Sequence, residues 1–229
     1  MASRTLTMAD TTIGKKMVMA VTGVVLFGFV IGHMIGNLQI FMGPTTMNEY
    51  GKFLHDNKTL LWGTRGVLLI SLIAHVVSAV QLAARNRSAR PIPYKKKTNV
   101  VTSYAARTMV WSGPILALYI AYHLAHLTVG VSAGLGYEHL LPHDGNGLPN
   151  VYNNVVSSFQ VWWCAAIYIV AQLALGLHLY HGSWSLLQSL GLSHERYNNT
   201  VRSAASAVAL AVTAGFLSVP ISIFFGFVK

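Results

Sequence analysis

The chain has 229 residues, 53% of them hydrophobic and only 10% charged, whereas an ordinary soluble domain devotes about a quarter of its residues to Asp, Glu, Lys and Arg. This is a membrane composition. The net charge of +10 does not point to nucleic acid, because the basic residues cluster between apolar runs in the manner of membrane topology signals. The single cysteine, Cys164, excludes intrachain disulfides, Cys-ligated zinc, iron–sulfur clusters and CxxCH haem attachment.

Crossing roughly 30 Å of hydrocarbon takes about 20 apolar residues, and five segments qualify: 17–42, 60–85, 106–132, 157–188 and 203–227. The expectation is an all-α membrane protein, one integral domain over 1–229, with the first four helices forming a bundle. The first run lacks a small-residue cleavage site and reads as a retained helix, not a signal peptide. After it, 43–60 carries Pro44, Asn48 and Asp56, and 134–154 is rich in Gly, Pro and Asn; both read as loops.

Arg4, Lys15, Lys16, Arg85, Arg87, Arg90, Lys95, Lys96, Lys97, Arg107, Arg196 and Arg202 fall on one side of this topology, which leaves Lys52, Lys58, Arg65 and Lys229 for the other. The positive-inside rule then places the amino terminus in the cytoplasm and the carboxyl terminus outside. The basic stretch 85–97 suits anionic lipid, and equally a soluble partner docked on that face.

Ionisable side chains inside spanning helices are costly and usually face the bundle interior. Here His33, His75, His123 with His126, and His178 with His181 occupy the first four helices, and the fifth has none. One histidine alone is readily explained by a hydrogen bond to a neighbouring helix. Four helices so marked, with almost no other ionisable residue in their interiors, point to a histidine-bound cofactor, since neutral imidazole is a good iron ligand. Any haem here is held without a covalent link.

Depth tests whether the histidines pair. His33 lies 17 residues beyond Lys16, and His123 lies 16 beyond Arg107, so both stand about 24–26 Å along their helices and suit one iron between them. His75, ten residues before Arg85, belongs to the inner half with the histidines of helix four. His178 is 18 residues before Arg196 and His181 is 15; depth leans slightly to His181 without deciding.

Gly28, Gly32 and Gly36 give one face of the first helix almost no side chains. Close helix packing is the commoner reason for such a stripe, and a porphyrin edge is the other. Pro114 is expected to kink helix three. Met34 and Met109 are the possible thioether ligands, but packing is the ordinary use of methionine. Trp62, Trp111, Trp162, Trp163 and Trp184 fall near helix ends, as an aromatic belt requires. Glu49, Tyr50 and His55 are the polar residues that follow helix one, and a solvated loop is the plain account of them. Glu138, His139, His143 and Asp144 match no tight metal-binding spacing.

The opening segment TIGKKMVMAVTG, histidines in each of the first four helices, and above all HLYHGSWSLLQSLG in helix four give nearly the whole chain its likeness. It resembles the single-subunit, di-haem cytochrome b of succinate dehydrogenase and quinol:fumarate reductase. The resemblance implies axial ligation of two haems b by His33 with His123 and by His75 with His178, leaving His126 and His181 as neighbours. It implies a flavoprotein and an iron–sulfur subunit docked on the cytoplasmic face of a bacterial inner membrane, and electron exchange with a quinone, by family habit menaquinone. No succinate chemistry resides in such an anchor. Competing readings are the haem anchor of a formate dehydrogenase or hydrogenase, a transporter with intramembrane histidines, and a haem-free structural anchor.

Overall fold

The computed structural model describes residues 7, 10–89, 92, 103–130, 143, 144 and 146–229. Seven α-helices follow one another: α1 (Thr12–Leu38), α2 (Pro44–Asp56), α3 (Lys58–Ser88), α4 (Tyr104–His123), α5 (Val151–Gln160), α6 (Trp162–Ser189) and α7 (Asn198–Phe224). A 3-10 turn, Gln39–Met42, extends α1, and a π-helical turn, Leu124–Val129, extends α4. Among the described residues the only β pairing is an isolated bridge between His143 and Pro149.

Five of these helices, α1, α3, α4, α6 and α7, are long and apolar enough to cross a membrane, so the chain is an all-α, multi-pass membrane protein. Their outward faces carry large apolar side chains, with Ile70 71% and Leu118 74% exposed, the pattern that lipid and not water satisfies. Hydroxyls within the spans bond back to their own helices: Ser183 to the Leu179 carbonyl at 2.6 Å and Thr213 to that of Ala209 at 2.7 Å. Such bonds matter in hydrocarbon, which offers a polar group no alternative partner.

The helix starts have local causes. Thr11 Oγ1 accepts from the Gly14 amide at 2.9 Å and caps α1, and Ser103 Oγ accepts from the Ala106 amide at 3.2 Å and caps α4. The α4 extension stops at Gly130, whose φ of 75° is the left-handed value that closes helices.

The two stretches read as loops contain helices. Gly43, at φ 97°, turns the chain, and Pro44 then opens α2 at the first helical position, where its missing N–H costs nothing. The predicted fourth span divides as well: Val161, in extended conformation, separates α5 from α6. Both short helices are amphipathic, and they pack against each other at one end of the bundle. Asn48, 1% exposed, joins them: its Oδ1 accepts from the Tyr152 amide at 2.9 Å and its Nδ2 donates to Asp144 Oδ2 at 3.0 Å. The other spans differ from expectation by a few residues at their ends, and 131–132 lie outside the described residues, with Arg4, Arg90, Lys95, Lys96, Lys97, Glu138 and His139.

α6 is the central helix, packed on α1, α4 and α7, while α3 rests on α1. Lys15 at the start of α1 donates to Gln81 near the end of α3. Lys15, Arg85, Arg107 and Arg202 thus mark one basic end of the bundle, and α2 and α5 cap the far end.

Candidate functional site

The bundle brings intramembrane histidines together twice. Near the basic end, His75 of α3 lies against His178 of α6, ring centres 6.3 Å apart; nearer the far end, His33 of α1 lies against His123 of α4, ring centres 5.8 Å apart. Two imidazoles bound to opposite sides of one metal ion through bonds of about 2 Å hold their ring centres roughly 6 Å apart. Both pairs fit that separation.

The helices also give the distance between levels. The His75 ring sits beside Gly23 of α1, ten residues before His33; Ser112 of α4 bonds His178, eleven residues before His123; Tyr168 of α6 bonds His123, ten residues before His178. At 1.5 Å per residue each helix separates the pairs by about 15 Å, half the hydrocarbon thickness.

Hydrogen bonds orient the rings. His75 Nδ1 is 3.1 Å from the Met19 carbonyl oxygen, which can only accept, so Nδ1 carries the proton and Nε2 keeps its lone pair. Thr22 Oγ1 stands 3.3 Å from the same nitrogen and itself donates to the Val18 carbonyl. His178 Nδ1 is 3.4 Å from Ser112 Oγ, and His123 Nδ1 is 3.3 Å from Tyr168 Oη. His33 is held by rings: Phe29 stacks on it at 5.2 Å and 13°, and Phe216 of α7 approaches to 6.0 Å. Engaging one ring nitrogen to fix the tautomer and present the other is the usual support of a metal-bound histidine.

No three His, Cys, Asp or Glu side chains converge among the described residues. Each pair brings two imidazoles together. The structure leaves room beside the glycine stripe: a Cβ built at Gly28 or Gly32 would meet no atom within 4 Å, whereas at Gly36 it would come within 2.9 Å of the Tyr50 ring. The stripe thus has two uses. Tyr50 seats α2 on Gly36, while no helix closes over Gly28 and Gly32.

The remaining histidines separate by their partners. His126, 1% exposed, has both nitrogens engaged, Nδ1 with Tyr168 Oη and Nε2 with Ser158 Oγ, each at 3.0 Å. The slight lean of depth toward His181 is corrected, since it is His178 that meets His75. The ruler from Arg196 failed because α6 ends at Ser189 and Gly191, at φ 75°, starts a turn; the intervening residues do not rise as a helix.

Met34 packs its thioether on Gly215 of α7, and Met109 receives a weak bond from Ser112. Glu49 and His55 are exposed on α2. Asp144 accepts from the Asn146 and Leu148 amides and from Asn48, closing a turn. Arg65 lies over the Trp62 ring at 4.9 Å. An open apolar groove of about 470 Å³ between α1 and α3 is lined by Val25, Phe29, Thr59, Leu60, Thr64 and Val67.

Sequence reasoning missed the supports, Met19, Ser112, Ser158, Tyr168 and Phe216. Tyr168 carries a usable signal: it is a polar group deep in an apolar run, at the level where helical rise places His123. Comparison with family models, curated proteins and solved structures finds no match for this chain.

Proposed function

We propose that this chain is the di-haem cytochrome b anchor of a succinate:quinone oxidoreductase. The observation that carries the reading is the stacking of two facing histidine pairs about 15 Å apart through one bundle. His75 and His178 would hold one haem b near the basic end, and His33 and His123 a second nearer the far end. Haem held by these histidine pairs would supply a reversible one-electron couple, suited to carrying electrons.

The chain's own residues do the rest. Met19, Thr22, Ser112 and Tyr168 orient the imidazoles. The basic end would face the cytoplasm, with the amino terminus inside and the carboxyl terminus outside a bacterial inner membrane. There it would receive an iron–sulfur subunit carrying electrons from a flavoprotein that interconverts succinate and fumarate. The open apolar groove beside Phe29 is a candidate place for a quinone headgroup, and menaquinone is the expected species.

The test is a dithionite-reduced minus oxidised spectrum of the purified chain, with pyridine haemochrome quantitation. Two haems b per chain are expected; none, in protein made with ample haem supply, overturns the reading. Co-purification of a flavoprotein with covalent or tightly bound flavin distinguishes this anchor from those of formate dehydrogenases and hydrogenases.

A further inference from the structure

We infer that Ser158, His126 and Tyr168 form a one-way hydrogen-bond relay that fixes His123 with its proton on Nδ1 and Nε2 free for a metal. The relay deepens the proposed haem site and, for its redox consequence, rests on it; its direction follows from proton counting on a neutral His126. Ser158 has one hydroxyl proton and donates it to the Asn154 carbonyl of its own helix at 2.6 Å. Toward His126 it can then only accept, so the 3.0 Å contact is His126 Nε2–H donating to Ser158 Oγ.

His126 meets neutral hydroxyls through both nitrogens, the setting of a neutral imidazole. With its proton on Nε2, Nδ1 is an acceptor, and the Tyr168 hydroxyl donates to it at 3.0 Å. That commits the phenol proton. Tyr168 Oη, 3.3 Å from His123 Nδ1, is left to accept from it.

The relay is enclosed: Ser158 is 0%, His126 1% and Tyr168 4% exposed. It is also anchored outside the paired helices, since Ser158 belongs to α5. Tyr168 is therefore a positioning residue for His123, and His126 and Ser158 position Tyr168. An acceptor on Nδ1–H raises the basicity of the opposite nitrogen, which favours the ferric form of a bound iron.

The first measurement is the nitrogen-15 NMR spectrum of histidine-labelled full-length protein in lipid, with His126 assigned by its loss in H126Q. The expected result is a neutral ring protonated at Nε2; a doubly protonated ring or an Nδ1–H tautomer overturns the relay, with or without haem present. The second is redox titration of Tyr168→Phe, which keeps the ring that packs at 4.7 Å on Phe159. One midpoint should rise, by up to tenfold in ferrous over ferric preference, or about 59 mV for one electron. The moved midpoint should be that of the haem missing from His123→Ala, and Ser158→Ala should move the same one less. Movement of the other midpoint, or of neither, defeats the relay. A wild-type preparation without haem defeats the haem reading alone, since the tautomer spectrum still decides the relay.

Discussion

The two histidine pairs share a bundle but are supported by different means. At the basic end, a backbone carbonyl, Met19, holds His75, and the side chains nearby belong to the spanning helices themselves. At the far end, His33 leans on aromatic rings and His123 on a tyrosine whose own partners reach into α5. Support from a helix backbone is as permanent as the helix. Support from side chains can be altered one atom at a time, so the far-end pair is the one whose properties substitution can tune.

The largest effects break the comparison outright. Replacing His33 or His123 by alanine should each remove the same haem, and replacing His75 or His178 the other, read as one haem per chain in place of two; loss of different haems within a pair would overturn the pairing. Next comes the glycine stripe. Gly36→Ala forces a Cβ against the Tyr50 ring and should cost about 1–3 kcal/mol of overpacking, read as a lowered unfolding temperature with or without haem. Gly32→Ala meets no protein atom and should leave the haem-free protein at least as stable as before while lowering haem occupancy at the far-end pair. Equal effects from the two would dissolve the distinction between a packing glycine and a cofactor-facing one.

A smaller effect is expected at the cap. Asn48→Ala removes a buried side chain that bonds both Tyr152 and Asp144, at a cost of about 1–3 kcal/mol. Hydrogen exchange should quicken in α2 and α5 while the helices around His75 and His178 stay protected.

The smallest is a pH effect. Partial desolvation would raise the Asp144 carboxyl, but bonds from the Leu148 amide, Asn48 and the Asn146 amide hold it below its ordinary value of 3.8. A carboxyl lowered on folding stabilises fully above its unfolded value, and that contribution disappears as the pH falls through the lower folded value. Proteolysis at 143–150 should therefore begin only below pH 3.8, with the basic-end pair untouched; onset near neutrality would contradict it.

The five spans were legible because lipid selects for length and apolarity, which single residues display. Helical rise likewise set His33 level with His123, since Lys16 and Arg107 mark the same surface and continuous helices follow. It could not separate His178 from His181 because the turn after Ser189 broke the ruler. α2 and α5 escaped notice because Pro44, Asn48 and Asp56 are turn residues in most settings; here the proline starts a helix and the asparagine is interred between two. The roles of Tyr168 and Phe216 depend on which helices adjoin, which periodicity does not encode.

Phe216, which flanks His33 from α7, gives the last helix a different part at each level of the bundle. The hydrogen bonds described for His75 and His178, from Met19 and Ser112, come from helices that precede α7. The last helix thus walls the far-end pair directly through Phe216, whereas at the basic end it packs behind His178, with Thr213 against Gly176 and Ala209 and Val212 beside Leu179.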